Sequence, residues 1–304
     1  MSLTSELKNK ESPIRKWFDD RYNTAVAKII TTHNQLLSQQ EIIQPVEGTD
    51  FPLTGNALSK ALSKYLGLIY NQKNWYQGCT PLTGAQFLKV EYAFDYCITE
   101  SKSLEEEALK CMILSALENY VRTRKIHEII QPFLQGENYL NLEAEYFRKW
   151  LPTIQDTAQI IGILPRTWET VKSQIIPGKI ICNGSFPLSG FIGGADYQVL
   201  VGNTLIDIRT TAKRRPFTLD NFYQQISYCL LDSNNTYKIN QLVWFYSRQE
   251  SAFCYPISKL FHNLKATREE FKKMILANYG YDSKLNSIDN KLSLNPNLKL
   301  YLEP

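Results

Sequence analysis

The sequence predicts an α/β protein in which a mixed β-sheet is flanked by helices and preceded by a mainly helical N-terminal region. Three observations carry that expectation. Apolar residues recur at helical spacing through about the first 150 positions. After residue 175, short runs rich in β-branched and aromatic residues replace them. One helical stretch interrupts those runs and another follows them, the pattern of a sheet layered against helices. The 304 residues thus divide into a helical region, 1–175, and an α/β core, 176–304. The helical region is expected to wrap the core and supply one residue to its site. The Asn-, Lys-, Ser- and Leu-rich end of the chain reads as a loosely structured tail.

Ser12 caps the first clear helix, with Pro13 at its first position, leading through IRKWFDDRYNTAVAKII. The segment GTDFPLTGN, punctuated by proline and glycine, reads as a connection. Further helices are expected over Leu58–Tyr70, Ala85–Ile98, Leu104–Leu134 and Leu142–Leu151. The third opens on a capping box, Ser103 with Glu106. Pro177-Gly178 marks a turn, and strands are expected in KIIC, DYQVLV, TLIDIRT, INQLVWFYS and AFCYPI. Helices follow over Leu219–Leu231, capped by Thr218, and over Thr267–Ala277, where Thr267 and Glu270 form a second capping box.

Composition narrows the class. Hydrophobic residues make up 43% of the chain and charged residues 21%, ordinary for a soluble protein. No apolar run spans a bilayer and no secretory signal opens the chain, so the reading is a cytoplasmic protein without a membrane partner. The six cysteines include no C-x-x-C pair, which argues against zinc or iron–sulfur sites and for reduced core thiols. A net charge of +4 is compatible with a polyanionic partner without requiring one. Two clusters are more local: Arg122, Arg124, Lys125 and His127, and the consecutive Lys213, Arg214 and Arg215. Taken alone, either reads as a solvated face. There is no G-x-S-x-G elbow, Walker A loop or dinucleotide fingerprint.

The chemistry concentrates in one stretch, Asp196-Tyr-Gln-Val-Leu-Val-Gly202-Asn203-Thr-Leu-Ile-Asp207-Ile-Arg209. Gly202-Asn203 suits a two-residue hairpin turn, which pairs Val201 with Thr204. Counting outward, Gln198 opposes Asp207 and Asp196 opposes Arg209. Alternation then puts Asp196, Gln198, Asp207 and Arg209 on one face, with Tyr197, Val199, Val201, Thr204, Ile206 and Ile208 on the other. The two carboxylates are expected to converge on a common point. Paired carboxylates of this kind hold divalent ions, usually Mg²⁺, for phosphodiester hydrolysis, and a nearby cation orients the water or the phosphate. A surface hairpin with a cross-strand ion pair worth about 1 kcal/mol or less is the structural alternative. In the next helix Gln224 and Tyr228, four residues apart, share a face beside the apolar stripe Leu219, Phe222, Tyr223, Ile226 and Leu230. Gly193-Gly194 fits a place where backbone passes close to the site.

GGAD, then DIRTT, then QQISY, in that order over about residues 178–256, resembles the PD-(D/E)XK nuclease superfamily, and within it the RecB-like exonuclease branch. The resemblance implies a restriction-endonuclease-like core, a metal-dependent hydrolase acting on DNA, and Mg²⁺ or Mn²⁺ as cofactor. It implies catalytic roles for Asp196, Asp207, Arg209, Gln224 and Tyr228. Asp196 takes the first acidic position, Asp207 the second, and Arg209 stands where the family has lysine. Such nucleases often place another ligand on a preceding helix. By likeness of Ala93-Phe94-Asp95-Tyr96 that ligand is Asp95, with Glu91 as second choice. The consecutive basic residues Lys213, Arg214 and Arg215 are the candidate nucleic-acid contacts, since phosphate contacts release counterions.

Arg209 matters because arginine does not lose its proton at working pH, although it binds phosphate through a fixed fork. Lys213 shares its parity and stands in for the lysine if the strand continues that far. The alternative reading is a catalytically impaired module that grips nucleic acid or a partner protein without cutting. DNA is the expected partner, with RNA, a second copy, or a partner protein of a defence or repair system as further candidates.

Overall fold

The structure is a computed structural model describing residues 2–72, 76, 79–136, 147–182 and 184–280. Its five strands are β1 (Ile180–Cys182), β2 (Val199–Val201), β3 (Thr204–Arg209), β4 (Gln241–Tyr246) and β5 (Ser251–Pro256), in spatial order β1-β2-β3-β4-β5. Neighbours are antiparallel except β3 and β4, which run parallel. A parallel pair needs a crossover. Here it is the helix over Leu219–Leu231, so residues at the end of β3 are delivered directly to the helix that follows.

Helices cover both faces. In chain order they are α1 (Leu3–Lys8), α2 (Pro13–Leu37), α3 (Phe51–Ile69), α4 (Thr80–Leu88), α5 (Glu91–Ile98), α6 (Leu104–Thr123), α7 (Gln131–Leu134), α8 (Leu151–Lys172), α9 (Leu219–Leu231) and α10 (Leu264–Tyr279). One core cluster joins helices α3 to α8 to the sheet face formed by Ile180, Val199, Val201, Ile206, Ile208, Val243 and Phe245. The other joins α1, α2, α9 and α10 to the face carrying Leu200, Leu205, Leu242, Trp244 and Tyr246. Strand alternation divides the side chains between two dry layers. The helical N-terminal region therefore wraps the sheet on both sides. A fully buried pair, Arg248 with Asp156, ties α8 to the end of β4, and the Arg248 carbonyl accepts from Ile43 N at 2.9 Å.

Several boundaries differ from the expectations. GTDFPLTGN is not a connection: Asp50 accepts from Leu53 N at 3.0 Å and caps α3, with Pro52 in its first turn. The helix expected over Ala85–Ile98 breaks into α4 and α5 where Lys89 turns left-handed (φ 58°). The one expected over Leu104–Leu134 ends at Thr123 because Arg124 adopts φ 59°. Asn263, not Thr267, caps α10, accepting from Ala266 N at 3.0 Å. The helix expected over 142–151 and the tail fall largely outside the described residues. No described helix is long and apolar enough to cross a membrane.

Gly202 adopts φ +57°, as the hairpin turn requires, and a Cβ there would lie 2.8 Å from the Ile176 carbonyl. The Pro177-Gly178 turn and the Gly202-Asn203 turn thus pack backbone against backbone.

Candidate active site

β3 carries Leu205, Asp207 and Arg209 on the face that meets α9. Asp207 is 5% exposed and forms an ion pair with Arg209 two residues on. The other arm of the guanidinium donates to Gln224 Oε1 at 2.8 Å. The Gln224 amide donates in turn to the Tyr228 hydroxyl at 3.0 Å and to Thr4 Oγ1 at 3.4 Å. The four residues Asp207, Arg209, Gln224 and Tyr228 thus form one continuous polar chain from strand to helix. Gln224 and Tyr228 sit one helical turn apart, and the β3–α9 crossover turns that edge of α9 toward the strand end. Burial pushes the Asp207 carboxyl above its ordinary value, outweighing Arg209, which pulls it down. Burial raises the Tyr228 phenol too, with the charge of Asp207, and less strongly that of Asp196, adding to it.

The hairpin turn pairs Val201 with Thr204 as expected, but the ladder stops at Val199–Ile206. Beyond it the Gln198 side chain, not backbone, accepts from Ile208 N at 2.6 Å. The chain leaves β3 there: Tyr197 N donates to Gly184 O at 3.0 Å and Asp196 bridges Ser185. Tyr197 consequently packs with Phe186 in the α9 layer while Val199 lies in the layer of helices α3 to α8. Strand parity fails between them, so Asp196 does not oppose Arg209. The expected convergence of Asp196 with Asp207 is corrected accordingly: Asp207 turns to α9, and Asp196 Oδ2 lies 3.7 Å from Arg122 Nη2 on α6.

The acid that a helix brings to Asp196 is Glu118. Its Oε1 lies 2.6 Å from Arg122 Nη2, and its other oxygen pairs with the buried Lys60 of α3. Burial disfavours its charge, but Lys60 and Arg122 together outweigh that and hold its pKa below the ordinary value. Asp196 is shifted the other way: burial raises it, Arg122 opposes, and the Glu118 charge adds to the rise. Sequence reasoning missed Glu118. Its signal was an acid closing the run Cys111–Leu117, fully apolar but for Ser115, one turn before Arg122. Asp95 and Glu91, chosen instead, are exposed on α5, a helix packed on α4 and α6, and no contact brings either to Asp196 or Asp207. Among the described residues, no group of three or more His, Cys, Asp or Glu side chains is arranged to hold a metal ion.

Arg209 opens onto a cleft of about 530 Å³ whose lining includes Lys8, Asn56, Gln198, Lys213 and Gln224. β3 ends at Arg209, so Lys213 cannot take the lysine position by strand parity. It reaches the cleft from the following loop, whose backbone at Thr211 and Lys213 accepts from Gln249 Nε2 at 2.9 and 3.1 Å. Arg214 and Arg215 are exposed, and Arg214 Nη1 donates to Ser38 O at 3.4 Å. Gly193 and Gly194 have φ +78° and +115°. A Cβ on Gly194 would meet nothing within 4 Å, so backbone conformation and not close approach explains the glycine there.

Asp207, Asp196 and Glu118 offer a cation carboxylate oxygen, and the buried thiols of Cys79 and Cys182 lie close enough to Glu118 to feel its charge. Carboxylate oxygen suits a hard ion such as Mg²⁺ or Mn²⁺ over zinc. Each of these acids is neutralised by an arginine or lysine. Comparison with known proteins finds no matching family model, no similar curated protein and no similar solved structure.

Proposed function

We propose that the protein is a divalent-metal-dependent nuclease of the PD-(D/E)XK kind that hydrolyses phosphodiester bonds in DNA. The observation that carries the reading is the hydrogen-bonded chain from Asp207 through Arg209 and Gln224 to Tyr228, opening on a cleft whose mixed lining includes the cations Lys8 and Lys213. Asp207, beside Arg209 at the mouth of the cleft, would hold the ion. A bound Mg²⁺ or Mn²⁺ supplies positive charge that offsets the charge developing on the phosphorane and lowers the pKa of the attacking water. Arg209 does not accept a proton. Anchored by Asp207 and Gln224, it presents its fork to a phosphate oxygen in a fixed orientation. Gln224 holds that fork in place, and the Tyr228 hydroxyl fixes Gln224. Lys213 and Lys8 meet the flanking backbone phosphates.

A second reading is a module that binds nucleic acid without cutting it. What favours it is Arg209 in place of a deprotonatable lysine, together with the separate pairing of Asp196. The test is incubation of the protein with plasmid, linear and single-stranded DNA, with and without Mg²⁺ or Mn²⁺, beside Asp207→Asn. Metal-dependent cleavage lost in Asp207→Asn supports the nuclease. Salt-sensitive binding with no cleavage by the wild type or by Arg209→Lys supports the module. Cleavage undiminished in Asp207→Asn overturns the assignment.

A further inference from the structure

The first turn of α3 presents an aromatic ring to the cleft at Arg209. The helix buries its apolar stripe, Leu53, Ala57, Leu58, Ala61 and Leu62, in the core layer of α3 to α8. Phe51 falls outside that stripe and is 51% exposed. It lines the cleft together with Gly55, one helical turn further on. A lone exposed phenylalanine requires no explanation, so its surroundings decide. Phe87 is exposed to a similar degree, 54%, yet the Arg124 guanidinium lies over its ring at 4.8 Å. Among the described residues no ring or cation covers Phe51. Gly55 leaves the cleft wall beside it open, since a Cβ there would meet nothing within 4 Å.

The charge around that ring is one-sided. Lys8 and Lys213 line the same cleft, and neither forms an ion pair among the described residues. Asp220, an acid in the lining, is neutralised by Arg15 at 2.7 Å. Unpaired cations beside an uncovered ring match a strand of nucleotides, whose phosphates meet the cations while a base lies flat on the ring. A base inside a duplex has both faces covered by its neighbours and must leave the stack before it can meet a side chain this way. At about 530 Å³ the cleft lies within the roughly 300–1,000 Å³ of sites that enclose a small ligand. Resting on the DNA reading above, we propose that Phe51 is the stacking platform for one unpaired base of single-stranded DNA, with the adjoining phosphates on Lys8 and Lys213. Stacking reads no base edge, so the subsite selects for an unpaired strand and not for a sequence.

The experiment is DNA binding by the full chain without divalent cation, read by the fluorescence anisotropy of two labelled strands of equal length. One is a thymidine oligonucleotide and the other an abasic sugar-phosphate strand. Phe51→Ala should weaken binding of the thymidine strand about five- to twentyfold, and Phe51→Trp should bind it at least as tightly as the wild type. Gly55→Leu, which fills the space beside the ring without removing it, should weaken binding to a similar extent, and Phe87→Ala should change nothing. The abasic strand should bind the wild type and Phe51→Ala equally, because a ring that acts only on a base loses nothing when the base is absent. Affinity for relaxed closed-circular duplex, measured by competition, should be the same in Phe51→Ala and the wild type. If the thymidine strand binds the wild type, Phe51→Ala and Gly55→Leu equally, or if Phe51→Ala weakens the abasic strand or the duplex by the same factor, the platform is wrong while the DNA reading stands. If the wild type binds neither strand nor duplex, both fall.

Discussion

The two acid clusters flanking Tyr228 are built in opposite ways. On the β3 side, Asp207 and Arg209 are two residues apart on one strand, and Gln224 and Tyr228 are four apart on the next helix. On the α6 side, Lys60, Glu118, Arg122 and Asp196 come from three segments up to 136 positions apart in the chain. The first cluster is local and its geometry follows from strand and helix periods. The second exists only because α3, α6 and the segment before β2 are packed together. The electrostatics differ as well. Burial outweighs pairing at Asp207, so its carboxyl titrates high, whereas two cations overcome burial at Glu118, so its carboxyl titrates low. A carboxylate held in an environment that disfavours its charge is the pattern expected where charge is to be used. One that is neutralised on both sides is the pattern of a structural pair.

The largest effect that tests this contrast is on activity. Asp207→Asn should reduce metal-dependent DNA cleavage by on the order of 10²–10³-fold while leaving the fold intact. The same substitution sharpens the electrostatic claim. A carboxyl whose folded pKa is raised contributes stability below its unfolded value and loses it as pH rises through the folded one. Asp207→Asn should therefore be more stable than the wild type at pH 8, by a margin that shrinks as pH falls into the carboxylate range. Thermal melts at both ends of that range measure it. A variant less stable than the wild type at pH 8 would mean that Arg209, and not burial, dominates.

Next in size is the cost of removing the cation from each acid. Lys60→Met leaves a buried Glu118 with only the half-exposed Arg122, and should destabilise the protein by about 3 kcal/mol in denaturant unfolding. Arg209→Met should cost less, because Asp207 already titrates high and can take up a proton. Equal costs would erase the distinction between the clusters. Gln224→Ala removes the group that fixes the Arg209 fork and should lower cleavage about tenfold with little change in stability. The smallest effect is at the rim of the cleft. Lys213→Ala should weaken DNA binding and reduce the slope of log affinity against log salt by about one. An unchanged slope would remove Lys213 from the phosphate path.

What could be read from the sequence followed how far each inference had to reach along the chain. The Gly202-Asn203 turn, the Val201–Thr204 pair and the shared face of Asp207 and Arg209 were all legible, because turn chemistry and strand alternation act within a few residues. The capping residues Ser12, Ser103 and Thr218 were legible for the same reason. Lys89 and Arg124 were not: a left-handed residue at a helix end is decided by how the next helix must pack. Asp196 marks the limit most clearly. Counting from the turn assumed that β2 stayed paired with β3, yet Gln198 replaces backbone with side chain at Ile208, and the strand departs toward Gly184 and Ser185.

By itself the sequence determined a two-faced sheet, the helix that crosses from β3 to β4, and the Asp207, Arg209, Gln224 and Tyr228 constellation, since each rests on periodicity within one element or two consecutive ones. Only the tertiary structure decided that Glu118 and not Asp95 stands beside Asp196, that Arg122 lies between the two acids, and that the cleft opens at Arg209. Those placements depend on which helix covers which face of the sheet, and no local pattern encodes the distance between residues that meet only when separate layers close on one another.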